Sequence, residues 1–179
     1  PSRKRPSTSY TKMSGVSSPP PTSVTAVDVV GCTTVAATSN AQSLKETGND
    51  AFASGKYAAA ARFYSEALSL LSAPSGGVYI PTEMLLLPVL YSNRAASLLR
   101  LGRNGDAERD CTAALAAIAG GRGGDACARQ RIKALYRRAS ARFLLEDDRG
   151  ALADALEALS MDGGNREAQG LVRKIKERA

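Results

Sequence analysis

Histidine and tryptophan are absent from all 179 residues, and aromatic side chains make up only 5% of them. Without histidine there is no Ser-His-Asp or Cys-His nucleophile and no imidazole ligand for a metal. Cys32, Cys111 and Cys127 are odd in number and lack CxxC spacing, which argues against a zinc site or a disulfide framework and suits a reducing compartment. A Gly-rich phosphate loop and a nucleophile motif are missing too. A non-enzymatic chain with no metal and no cofactor is expected. Long apolar runs are also lacking: TAVDVVGCTTVAA, residues 25–37, is too short and too interrupted to span a membrane.

Hydrophobic residues, 44% of the chain, suffice for one domain with a real core. After about position 40 the sequence is alanine-rich with few β-branched residues, which points to an all-α fold packed through small side chains, without a sheet. The net charge of +7 is uneven, because Arg3, Lys4, Arg5 and Lys12 face Asp28 alone within residues 1–40. The excess that remains is modest, and the few aromatics offer little base-stacking surface, so nucleic acid is not the expected partner. Residues 1–40, with SSPPPTS at 17–23, read as a disordered Ser/Thr/Pro-rich basic tail. RKRP near the start reads as solvated tail before nuclear-localisation signal, and the prolines spoil the amphipathic helix of a transit peptide. The chain opens on Pro1 and reaches its first methionine at Met13, so a fragment of a longer protein stays open.

From Ala41 the pattern turns helical and repeats. LKETGNDAFASGKYAAAARFYSEAL sets Gly48, Gly55, Tyr57, Ala60, Tyr64 and Ala67 at the spacings of a tetratricopeptide helix-turn-helix unit. YSNRAASLLRLGRNGDAERDCTAAL follows with Ala95, Gly102, Ala107, Cys111 and Ala114, then KALYRRASARFLLEDDRGALADALEAL with Ala139, Ala151, Ala155 and Ala158. Gly55 and Gly102 are 47 residues apart, and Gly102 and the equivalent Glu146 are 44 apart. Both periods exceed the usual repeat, and the surplus falls in APSGGVYIPTE (73–83), AGGRGGDACAR (119–129) and lengthened first helices. The pattern predicts helices near 41–54, 57–72, 84–101, 105–119, 125–146, 148–161 and 165–178. The domain then occupies 41–179, with repeats at 41–72, 84–119 and 125–161 and a polar-faced capping helix at 165–178 closing a right-handed superhelical solenoid. Asp106, Asp147 and Asp148 sit at helix starts, where carboxylates cap or oppose the dipole.

RIKALYRRASAR, residues 131–142, carries five cations and no acid. On a helix Ile132, Tyr136, Ala139 and Phe143 share the apolar face. Lys133 and Arg137 lie on one flank, and Arg131, Arg138 and Arg142 on a roughly opposite one. One stripe is expected to be solvated and the other to meet a ligand.

LKETGN (44–49), YSNRA (91–95) and KALYRR (133–138) together resemble the three-repeat tetratricopeptide domains that bind the C-terminal tails of heat-shock proteins 70 and 90. The resemblance covers residues 43–178 and implies a two-carboxylate clamp of Lys45, Asn49, Asn93, Lys133 and Arg137 for the tail's last aspartate. KALYRR is also similar to the third repeat of myosin-directed UCS co-chaperones, which makes Arg138 an auxiliary candidate for peptide contact. The implied protein is a monomeric cytoplasmic co-chaperone or adaptor. Independently of the family, Lys45 and Asn49 are four apart, as are Lys133 and Arg137, so each pair projects from one helical face. Two alternatives stand beside it: a nucleic-acid or acidic-surface binder using the basic tail and the Arg stripe, and the docking module of a longer enzyme or mitochondrial import receptor.

Overall fold

The computed structural model describes residues 26–71, 81–119 and 125–178. These form seven helices, with no strand among the described residues: α1 Ala26–Ala53, α2 Tyr57–Leu71, α3 Pro81–Arg100, α4 Asn104–Ala119, α5 Asp125–Leu144, α6 Asp148–Met161 and α7 Arg166–Arg178. The all-α expectation and all seven helices are met. Short turns make α1/α2, α3/α4 and α5/α6 antiparallel pairs, and α7 closes the stack against α6 and α5. The first helices of the pairs also touch in succession, α1 on α3 and α3 on α5, so they share one inner layer.

The same turn recurs in each pair. Gly55, Gly102 and Glu146 adopt left-handed φ values of 74°, 72° and 64°. Behind each, the next amide donates to a carbonyl five residues back: Lys56 to Ala51, Arg103 to Leu98 and Asp147 to Arg142, each at 2.9 Å. This is the 6→1 bond of a Schellman motif, which satisfies the last carbonyls of the first helix. Glu146 makes the turn without glycine's freedom from Cβ contact. Glu146→Gly should therefore raise stability by about 0.5–1 kcal/mol, checked by thermal melting. An unchanged or lower melting temperature would show that the turn carries no strain.

Small residues at the predicted repeat positions are the packing surface. Ala60, Ala67, Ala95, Ala107, Ala114, Ala139, Ala151, Ala155 and Ala158 are all fully buried. Tyr64 and Cys111 fill the space between helices. Burial pushes the Cys111 thiol up to about 12, so it is an inert core residue. In α7, Ala168, Leu171 and Ile175 face the core while Arg173, Lys174 and Lys176 stay exposed, which is the polar-backed cap expected. Arg178 locks its end by pairing with Asp148 and donating to the Phe143 carbonyl at 2.9 Å. Asp147 caps α6, accepting from the Gly150 amide at 2.9 Å.

Three expectations change. α1 begins at Ala26, fifteen residues before the predicted start, so residues 26–40 are helical where a disordered tail was expected. After Pro21 no proline interrupts the chain before Pro74, and a helix nucleated by the packed segment propagates at little cost. The tail expectation for 1–25, and the loop expectation for 72–80 and 120–124, lie outside the described residues. α3 begins at Pro81, three residues before the predicted start, and runs through Pro88, and α3 and α5 are the long first helices predicted, at 20 residues each.

The third change concerns charge. Arg131, Arg138 and Arg142 are not a solvated stripe. Arg138 forks onto Asp154 at 2.8 and 2.7 Å, Arg142 bonds Glu108 at 2.8 Å and Asp154 at 3.0 Å, and Arg131 meets Glu157 at 2.6 Å. One pair earlier, Arg94 forks onto Asp110 at 2.7 Å twice. Buried Asp110 and Asp154 need such partners, because an unpaired carboxylate in the interior is expensive.

Candidate functional site

α1, α3 and α5 place side chains around one recess of about 260 Å³, lined by Asn49, Phe52, Tyr64, Asn93, Ala96 and Arg137. Three of the five clamp candidates, Asn49, Asn93 and Arg137, therefore come together although 88 positions separate the first from the last. Lys45 and Lys133 lie one turn earlier on the same helices as Asn49 and Arg137. They flank the recess without lining it, and neither has an ion pair among the described residues.

The polar groups of the recess are ordered by one another. Asn49 Oδ1 accepts from the Tyr64 hydroxyl at 2.8 Å and from Asn93 Nδ2 at 3.1 Å. That leaves Asn49 Nδ2 as a donor without a partner among the described residues. Arg137 Nη1 donates to the carbonyl and the hydroxyl oxygen of buried Ser92, both at 2.6 Å. No carboxylate lies within ion-pair distance of Arg137 among the described residues, and burial pulls its pKa down from the usual guanidinium value. Burial pushes the Tyr64 phenol up, with Arg137 pulling the other way. The recess thus holds amide and guanidinium donors around a cation whose direct hydrogen-bond partners are neutral oxygens.

Arg138, the auxiliary candidate, is held by Asp154. Tyr64 and Ser92 were not singled out as site residues. The ring of Tyr64 is core filler, and the serine in YSNRA carries no signal of its own. Beyond the recess, a groove of about 480 Å³ opens between α5 and α7, with Tyr136 and Phe143 on its floor and Arg166, Arg173 and Lys174 at its rim. Ser140 belongs to this groove and lies three positions after Arg137, so the two depressions adjoin along α5. Among the described residues no helix is long and apolar enough to cross a membrane, and no cluster of acidic or cysteine side chains could hold a metal ion.

No family model matches the chain. The human mitochondrial import receptor subunit TOM34 is 39% identical over 121 residues, which cover 68% of this chain and 34% of that protein, so the chain matches about a third of this relative's length. Among solved structures, the first TPR of Spaghetti (RPAP3) bound to the HSP90 peptide SRMEEVD is similar at a TM-score of 0.60 and 32% identity, covering 79% of this chain and 94% of that one. The second TPR domain of human RPAP3 in complex with the HSP70 peptide SGPTIEEVD is similar at a TM-score of 0.58 and 28% identity, covering 76% and 95%.

Proposed function

Since the chain belongs to the tetratricopeptide repeat family, we propose that it is a non-enzymatic adaptor that docks the acidic C-terminal tail of heat-shock protein 90 or 70 in the recess between α1, α3 and α5. The observation that carries this reading is Arg137: a half-buried guanidinium whose hydrogen bonds go to neutral oxygens, beside an unpaired Asn49 donor. Arg94, Arg131, Arg138 and Arg142 each have an acid within the domain, and Arg137 needs one from outside. The last residue of a Glu-Glu-Val-Asp tail brings two carboxylates. Asn49, Asn93 and Arg137 receive them, and Lys45 and Lys133 close over them as mobile point charges. Charge-assisted hydrogen bonds contribute about 1.5–3 kcal/mol each, so a handful reaches micromolar affinity near roughly −8 kcal/mol. The acids upstream would run along the α5/α7 groove toward Arg166, Arg173 and Lys174. Such tails are met in the cytosol, the reducing setting that suits the free thiols of Cys111 and Cys127.

Commitment of the Arg131, Arg138 and Arg142 stripe to internal acids weakens the nucleic-acid alternative. The likeness to TOM34 favours a second setting for the same groove, as the docking module of a longer receptor at the mitochondrial surface. Sedimentation of the full-length protein with mitochondria would support that setting, and a wholly soluble distribution would count against it.

The test of the site is a titration of free-acid and amidated Met-Glu-Glu-Val-Asp peptides at equal ionic strength. Amidation removes one charge and leaves every side chain in place. Binding should fall by about 2 kcal/mol, roughly thirtyfold, because donors that stay desolvated lose a charged acceptor. Indifference to amidation rejects the clamp. Tighter binding of a single-stranded oligonucleotide with a steep salt dependence would favour a polyanion site instead.

A further inference from the structure

An asparagine amide presents oxygen on one side and NH2 on the other in nearly the same shape, so its value to a carboxylate depends on which side faces out. Asn49 and Asn93 alone do not decide this. Asn93 Nδ2 donates to Asn49 Oδ1, but both amides could turn over together and bond with the roles exchanged. In the exchanged arrangement Asn49 would direct its oxygen toward the incoming anion and repel it.

Tyr64 breaks the tie. Its hydroxyl is buried at the back of the recess and donates to Asn49 Oδ1 at 2.8 Å. It has no other acceptor among the described residues, so a reversed Asn49 would leave a buried O–H unsatisfied. The ring is held where this bond must form. Gly48, next to Asn49 on α1, lets the ring lie against the helix backbone: a Cβ at position 48 would stand 2.6 Å from Tyr64 Cε1. We propose that Tyr64 is a positioning residue for the peptide site, fixing the Asn49 amide with its NH2 outward so that it donates to the carboxylate. The inference rests on the clamp reading above and assigns the donor face of one of its members. The upward shift of the phenol's pKa by burial keeps the hydroxyl a donor across the neutral range.

Tyr64→Phe keeps the ring and removes the bond. The free-acid Met-Glu-Glu-Val-Asp peptide should bind about fivefold more weakly, equivalent to about 1 kcal/mol, while the variant still unfolds cooperatively. A merely structural loss is separated by a double-mutant cycle: in an Asn49→Ala background, Tyr64→Phe should have no further effect. In the free protein, nuclear Overhauser contacts from the Asn49 NH2 protons to the ring at position 64 should appear in Tyr64→Phe and be absent from the unsubstituted chain. Unaltered affinity in Tyr64→Phe overturns the proposal, as does an equal loss with Asn49 present or absent. If Asn49→Ala alone binds normally, the clamp itself has failed. The Overhauser contacts then decide the orientation question, and an unchanged pattern in Tyr64→Phe overturns the positioning role.

Discussion

Arg137→Met should cut affinity for the free-acid tail peptide by at least about thirtyfold while raising the melting temperature. Both effects come from one fact: the guanidinium is desolvated without a carboxylate in the unliganded domain. A buried cation satisfied by neutral oxygens is less stable than an apolar side chain of similar length, because its hydration is not repaid in full. Methionine gives up two bonds to Ser92, and the Ser92 hydroxyl can turn back to a carbonyl of its own helix. The expected gain is about 1 kcal/mol, or roughly 2–4 °C for a domain of this size. In the complex the balance reverses, since loss of the fork leaves the peptide carboxylate without its strongest donor. Arg137→Lys should fall between, retaining charge without the planar fork. A melting temperature lowered by methionine would identify Arg137 as a structural residue and remove the argument that it waits for an anion.

The repeat architecture was legible because it is written in small residues at helical spacing and in turns that need a left-handed residue. Even Glu146, which breaks the glycine pattern, takes the repeat position equivalent to Gly102, and its φ agrees. The start of α1 was not legible: Val27, Val29, Val30 and Thr33 to Val35 are poor helix formers, and a helix that continues from a packed segment needs no local signal. The arginine stripe was misread for a different reason. Arg138 and Asp154 are 16 residues apart, as are Arg94 and Asp110, a separation that no single-helix pattern connects. Only the recurrence of Arg and Asp after 44 residues, matching the repeat, could have exposed it. The clamp candidates were visible by residue type, whereas Tyr64 was hidden by its ring: periodicity reports that a position is buried and says nothing of where a hydroxyl points.

Asp154→Ala is expected to be the most destabilising single change among these sites. Its side chain is 5% exposed and receives Arg138 through two bonds and Arg142 through a third. Truncation leaves two partly buried guanidinium groups facing a void, a loss of about 3–5 kcal/mol when one partner of a buried pair is removed. The melting temperature should fall by at least about 6 °C. Asp106 offers a contrast on the surface, where Arg103 and Arg109 are largely exposed and solvent replaces the lost partner, so Asp106→Ala should move the melting curve little. The Asp154 effect should also reach the peptide site. Arg142 bridges Asp154 on α6 to Glu108 on α4, and the same helix α5 carries Lys133 and Arg137. Releasing α5 from α6 removes support from the helix that carries Arg137 into the recess, so affinity should drop although no residue of the proposed clamp has changed. Adding Arg138→Met to Asp154→Ala removes one stranded cation and should recover part of the stability. If the single variant melts like the unsubstituted protein, the buried network is not what holds the third helix pair together, and the orientation of Arg137 must be set by Ser92 alone.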